Sequence, residues 1–150
     1  MEFLNSLFGA RAGAAKKPPS DADKLRSALD GLDIPVAVST HENLKNRLHA
    51  YQDDTISNML NANVVCFDDR CNLGKWIHSS GKAQLGHYPG FTALMSHHKM
   101  FHFAASNIVA LQHRGKTAEA DAILNGQFAQ FSNAMVGDLQ ALGSMTLNQQ

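Results

Sequence analysis

An all-α fold is predicted by three observations. Apolar residues recur at three-and-four spacing through most of the chain, no segment sustains period-two alternation, and Pro, Gly and Asn punctuation falls between the periodic segments. The architecture expected is an antiparallel four-helix bundle with an extra short helix that carries a cysteine. At 150 residues the chain suits one ordinary domain, long enough to bury a core. Residues 1–20 read as a tail and linker, and residues 21–150 as the folded domain.

The elements follow in order. Phe3, Leu4, Leu7 and Phe8 lie at helical spacing, but the segment is short and opens with an acid, unlike a secretory signal. A frayed terminus is favoured there over contact with a membrane surface or a partner. Ala10 to Ser20, closed by Pro18-Pro19, reads as a flexible linker. Asp21 to Leu32 is a short helix with Leu25, Leu29 and Leu32 as its stripe, and Pro35 breaks the chain near the start of the next. From Val36 to Leu60, Leu44, Leu48, Tyr51 and Met59 keep helical period, with His41 on the same stripe. Asn61 to Arg70 is a connection whose run Val64-Val65-Cys66-Phe67 is strand-like but too short to found a sheet.

Asp68 stands three residues before Cys71 and is a candidate cap for a short helix over Cys71–His78, ending at Ser79-Ser80-Gly81. Lys82 to Gly90 reads as a loop. Phe91 to His113 is helical, with Phe91, Leu94, His98, Phe101, Ala105, Ile108 and Leu111 on one side. Arg114-Gly115-Lys116 is a turn, and a last helix runs from Thr117 to Leu142. Its residues Phe128, Phe131 and Met135 exceed what one small bundle needs, so a homodimer interface is expected to cover them.

Composition narrows the function. Thirteen Lys and Arg balance thirteen Asp and Glu without a basic stripe, which argues against nucleic acid as a partner. Two cysteines, Cys66 and Cys71, are too few and too close for a secreted disulfide scaffold, so a reduced, cytoplasmic setting fits. No apolar run reaches membrane-spanning length. Eight histidines are many for this length, and several cluster between Leu73 and Leu111.

The sharpest signal is Cys71-Asn72-Leu73-Gly74-Lys75-Trp76 followed by His98-Lys99-Met100-Phe101-His102. A thiolate and two imidazoles one helical turn apart are three of the four donors of a tetrahedral Zn²⁺ site. Cys71 heads its helix, where oriented N–H groups favour thiolate. His41 fits as the fourth ligand because it shares a face with Leu44 and Leu48; His49 lies about a hundred degrees off that stripe. His97 is the alternative to His98, yet its i+4 partner is Phe101. His78, His87 and His113 read as surface residues. Asp68 and Asp69 are candidates to orient a ligand, although capping or solvation is the plainer reading. Trp76 reads as a core anchor beside the site and Gly74 as a point of close approach. Cys66 is a candidate to resolve an oxidised Cys71, with a buried spectator thiol favoured.

At these residues the chain resembles the chemoreceptor zinc-binding domain, a family of bacterial cytoplasmic signalling modules. The resemblance rests on the Cys-x-Leu-Gly-x-Trp segment at Cys71–Trp76, the upstream His41, and the His-x-x-x-His of His98 and His102, and it spans His41 to Leu142. It implies a homodimeric helical bundle with one His₃Cys zinc per subunit and a regulatory role, sensing zinc or hypochlorous acid. Family members usually sit on chemoreceptors or diguanylate cyclases. Neither accompanies this sequence, so it resembles a stand-alone member whose output acts in trans on such a partner, in chemotaxis or cyclic-di-GMP signalling.

Four protein ligands would close the zinc shell and leave no open position for hydrolysis, so an enzyme is not expected. The reactive group that remains is Cys71, a candidate redox switch. The competing readings are a zinc-level sensor built on the same residues and a purely structural zinc in a dimerisation module.

Overall fold

The computed structural model describes residues 17–52 and 60–147, and every regular element among them is helical. The amphipathic tail and Met59 lie outside the described residues. In chain order the helices are α1 (Asp21–Leu29), α2 (Ile34–Gln52), α3 (Ala62–Val65), α4 (Asn72–Trp76), α5 (Lys82–Leu85), α6 (Pro89–His113), α7 (Thr117–Ile123) and α8 (Ala129–Leu147). Two π-helical turns, Ile77–Gly81 and Leu124–Phe128, join α4 to α5 and α7 to α8.

Local chemistry explains several of the boundaries. Ser20 caps α1, its hydroxyl accepting from the Asp23 N–H while the Asp23 carboxylate accepts from the Ser20 N–H, a reciprocal box. Asp33 opens α2, its carboxylate accepting from the Val36 N–H at 3.0 Å. Pro35 therefore sits inside the first turn, where a missing N–H leaves no bond unmade, and α2 starts two residues earlier than expected. Gly115, at φ 69°, turns the chain between α6 and α7.

α6 runs through the middle, packed most extensively against α8 and also against α7, α3 and α2. Its buried face carries Phe91, Leu94, His98, Phe101, Ala105 and Ile108, as the spacing predicts. The Phe101 and Phe128 rings lie 4.7 Å apart, linking α6 to the π-turn before α8.

Several expectations are corrected. The Val64–Phe67 run is not extended: Ala62–Val65 forms a helical turn capped by Asn61, whose side chain accepts from the Asn63 N–H. The Ser106 hydroxyl donates to the Ala62 carbonyl at 3.0 Å and holds that turn on α6. The segment expected to be a loop from Lys82 begins as α5, because the π-turn lets the chain continue helically past Ser80. α1 ends at Leu29 rather than Leu32, and α8 runs on past Leu142. Phe128 and Met135 are fully buried within the chain itself, so they are not surplus surface awaiting a partner; Phe131 is half-buried.

Candidate metal centre

The site is built by three segments. α2 supplies His41 from the face that also buries Ala37, Leu48 and Tyr51. α6 supplies His98 and His102, four residues apart and therefore on one side. The loop before α4 supplies Cys71, which is itself the cap of that helix: its Sγ accepts from the Gly74 N–H at 3.2 Å and its carbonyl accepts from the Lys75 N–H. Asp68 does not cap α4 as expected, and its carboxylate instead meets His78 Nε2 at 2.9 Å.

One donor atom from each of His41, Cys71, His98 and His102 lies within 4.8 Å of the others. Cys71 Sγ is 3.3 Å from His98 Nε2, 3.8 Å from His41 Nε2 and 3.9 Å from His102 Nε2. His98 Nε2 is 3.1 Å from His41 Nε2. A tetrahedral zinc with ordinary bond lengths needs about 3.3 Å between two nitrogens and about 3.6 Å between nitrogen and sulfur. The sulfur–nitrogen separations bracket the second value and the His41–His98 nitrogen pair falls just under the first, so the cluster suits a zinc ion.

The tautomers agree. His41 Nδ1 lies 2.7 Å from the Ala37 carbonyl and His102 Nδ1 lies 2.8 Å from the Val65 carbonyl. A carbonyl only accepts, so each Nδ1 carries the proton and each Nε2 presents a lone pair to the centre. His98 lacks this support, since its buried Nδ1 has no hydrogen-bond partner.

Burial sets the electrostatics. His41, His98 and His102 are 2 %, 0 % and 6 % exposed, with Phe101 beside two of the rings. Desolvation pushes all three imidazoles below the usual histidine range, and His98 goes down to about 2 with help from its two neighbours. They are thus held in the neutral form that binds metal. Burial pushes the Cys71 thiol up, and Asp68 adds to that, while the N–H groups of Gly74, Leu73 and Cys71 itself pull it down. A cation at the centre is what would reverse this balance and stabilise the thiolate.

Gly74 permits the approach of the loop to α4. A Cβ there would lie 1.7 Å from the Asp68 carbonyl oxygen, so only glycine fits without moving backbone. Trp76 is a core residue: its Nε1–H donates to the Ala28 carbonyl at 2.9 Å and its ring meets Phe91 edge-on. The expected surface placement holds for His78, His87 and His113. His49 is exposed, and His97 turns away from the centre to pair with Asp138 at 2.6 Å. Cys66 is exposed rather than buried, its thiol donating to the Asn63 carbonyl. Asp69 is also exposed. The Ala37 and Val65 carbonyls are the site partners that sequence reasoning missed. Val65 is hidden because a backbone acceptor has no residue signature, whereas Ala37 stands four residues before His41 in the same helix, where a ring N–H reaches naturally.

The family model for the chemoreceptor zinc-binding domain matches residues 41–109, which takes in α2 from His41, the whole Cys71 segment and most of α6. It ends short of Leu142, where the resemblance was expected to close. No curated protein and no solved structure gives a significant match. No helix among the described residues is long and apolar enough to cross a membrane.

Proposed function

We propose, because residues 41–109 match the family model for the chemoreceptor zinc-binding domain, that this chain is a zinc-dependent regulatory protein of that family. In it His41, Cys71, His98 and His102 hold the metal and Cys71 is a redox switch. The observation that carries the proposal is an asymmetry in the donor set: the three imidazoles are buried, whereas Cys71 is half-exposed. Zinc bound by these donors supplies one chemical service, keeping the Cys71 sulfur ionised at neutral pH.

The thiolate then attacks the chlorine of hypochlorous acid. The S–Cl bond forms as the Cl–O bond breaks and hydroxide leaves, sulfur losing two electrons. Hydroxide then displaces chloride from sulfur, so the sum is Cys71–S⁻ + HOCl → Cys71–SOH + Cl⁻. A sulfenic sulfur is a weak donor, and α4 loses its tie to α2 and α6 at the centre. The π-turn after α4 supports a hinge there, because Ser79 at φ −121° and ψ −105° already leaves helical geometry. The helices read as an antiparallel four-helix bundle that works as a cytoplasmic homodimer. Its output passes in trans to a chemoreceptor or a diguanylate cyclase.

Metal content before and after stoichiometric hypochlorous acid, with Cys71→Ser treated in parallel, tests this. Zinc released from the parent protein together with loss of the Cys71 thiol supports the switch. Zinc that stays bound to a protein whose Cys71 remains reduced contradicts it, and leaves zinc-level sensing or a structural metal on the same residues.

A further inference from the structure

Cys71 and the whole of α4 lie inside a ring that two side chains close. His78 Nε2 meets the Asp68 carboxylate at 2.9 Å across ten positions of chain. Asp68 belongs to the loop that delivers Cys71, and His78 is the second residue of the π-turn after α4. A carboxylate only accepts, so Nε2 carries the proton and donates whether the ring is charged or neutral. Inside the ring the loop rests directly on α4, since a Cβ on Gly74 would lie 1.7 Å from the Asp68 carbonyl oxygen. Leu73 and Trp76 anchor α4 in the core. The stretch between Asp68 and Cys71 has no such anchor: Asp69 and Arg70 are exposed, and the Arg70 guanidinium packs on its neighbour Phe67.

We infer that His78 is a positioning residue for the metal centre: through Asp68 it staples the Cys71 loop to the π-turn and holds the sulfur in place. The pair stands close to the donors, for the Asp68 charge is felt at Cys71 and His102 and that of His78 at His98. Stapled in this way, residues 68–78 form one unit that carries the sulfur. The unit ends next to Ser79, the residue that leaves helical geometry, so the hinge lies just outside the staple. The consequence for the metal rests on the reading of Cys71 as a zinc ligand, whereas the staple itself belongs to the metal-free chain. Both partners are partly exposed, His78 at 41 % and Asp68 at 21 % of their side chains, so the pair adds little to global stability. Its effect is local, on the loop between them.

Amide hydrogen exchange on the metal-free, full-length protein tests the staple, and zinc transfer to a chromophoric chelator tests its consequence. The Gly74 N–H donates to Cys71 Sγ and the Lys75 N–H to the Cys71 carbonyl, so these two amides report on the loop. His78→Ala should speed their exchange about two- to five-fold and leave the buried α6 amides, such as that of Phe101, unchanged. Zinc release from the loaded protein should quicken by about the same two- to five-fold. In an Asp68→Ala background His78→Ala should alter neither rate, because the partner it acts through is gone. Exchange at Gly74 and Lys75 that ignores His78→Ala, or that rises equally in the Asp68→Ala background, overturns the inference. So does a rise that the α6 amides share, and so does a zinc release rate that stays at the parent value. Protein that takes up no zinc while its exchange behaves as expected counts against the zinc reading and leaves the staple standing.

Discussion

At the level of single residues, two backbone carbonyls decide what the histidines can do. Ala37 and Val65 fix the protons of His41 and His102 on Nδ1, which leaves Nε2 to the metal. His98 has no such partner, and burial with the neighbouring imidazoles keeps it neutral. The folded pKa values of all three lie below the unfolded value of about 6.5, so the unfolded chain binds more protons once the pH drops under that value. The metal-free protein should therefore be most stable above about pH 6.5 and lose stability as the pH falls, toward about 2 for His98. Each imidazole kept neutral adds a slope of up to about 1.4 kcal/mol per pH unit, about 4 kcal/mol for the three. Urea unfolding at pH 7.5, 6.5 and 5.5 in the presence of chelator measures it, and a flat profile would contradict the burial argument. Exchanging sulfur for oxygen in Cys71→Ser removes the softest donor and should weaken zinc binding by about 100-fold or more. Competition with a chromophoric chelator reads that loss.

Among the elements, α4 and the loop before it matter most, and they were the least legible from sequence. The Cys71–Trp76 segment announced itself through residue types, and His98 with His102 through their spacing. His41 was recoverable because Leu44 and Leu48 marked its face. What stayed hidden was held in place by tertiary contacts. The β-branched pair Val64-Val65 favours extended backbone, yet Asn61 caps it into a helical turn and Ser106 holds that turn against α6. The α4–α5 junction was read as an ending because Ser79-Ser80-Gly81 resembles one, and a π-turn carries the helix through it. Cys71 displaced Asp68 as the cap, since sulfur at the cap position reaches the Gly74 N–H itself. Gly74→Ala is the sharpest probe of this element. Its Cβ would collide with Asp68 backbone, so a destabilisation of about 3 kcal/mol and weakened zinc binding are expected together. A thermal midpoint equal to that of the parent would show that the loop does not sit where it is described.

For the whole molecule, the metal centre joins segments that are far apart in sequence. His41 and His98 are separated by 57 positions, and the contact between them closes α2 onto α6. Trp76 ties the same region to α1 through the Ala28 carbonyl, a separation of 48 positions. Trp76→Phe leaves that buried carbonyl without its donor and should cost about 1–3 kcal/mol, read as a drop in the unfolding midpoint at unchanged zinc stoichiometry. Zinc binds the folded arrangement and not the scattered ligands of the unfolded chain, so chelation should lower the melting temperature and added zinc restore it. All-α character was readable from periodicity across the chain. Of the apolar surface expected to be surplus on the last helix, Phe128 and Met135 are buried internally, Phe128 against Phe101 of α6, whereas Phe131 is half-buried and Met145 is exposed.

The identity of the donor set is the claim on which the rest depends, and X-ray absorption at the zinc edge of the purified protein measures it most directly. The account requires one zinc per chain with a single sulfur at about 2.3 Å and three nitrogens at about 2.0–2.1 Å. In Cys71→Ser the sulfur shell should vanish. A zinc shell without sulfur in the parent protein, or protein that carries no zinc when purified without chelator, would contradict the His₃Cys centre and the redox switch built on it.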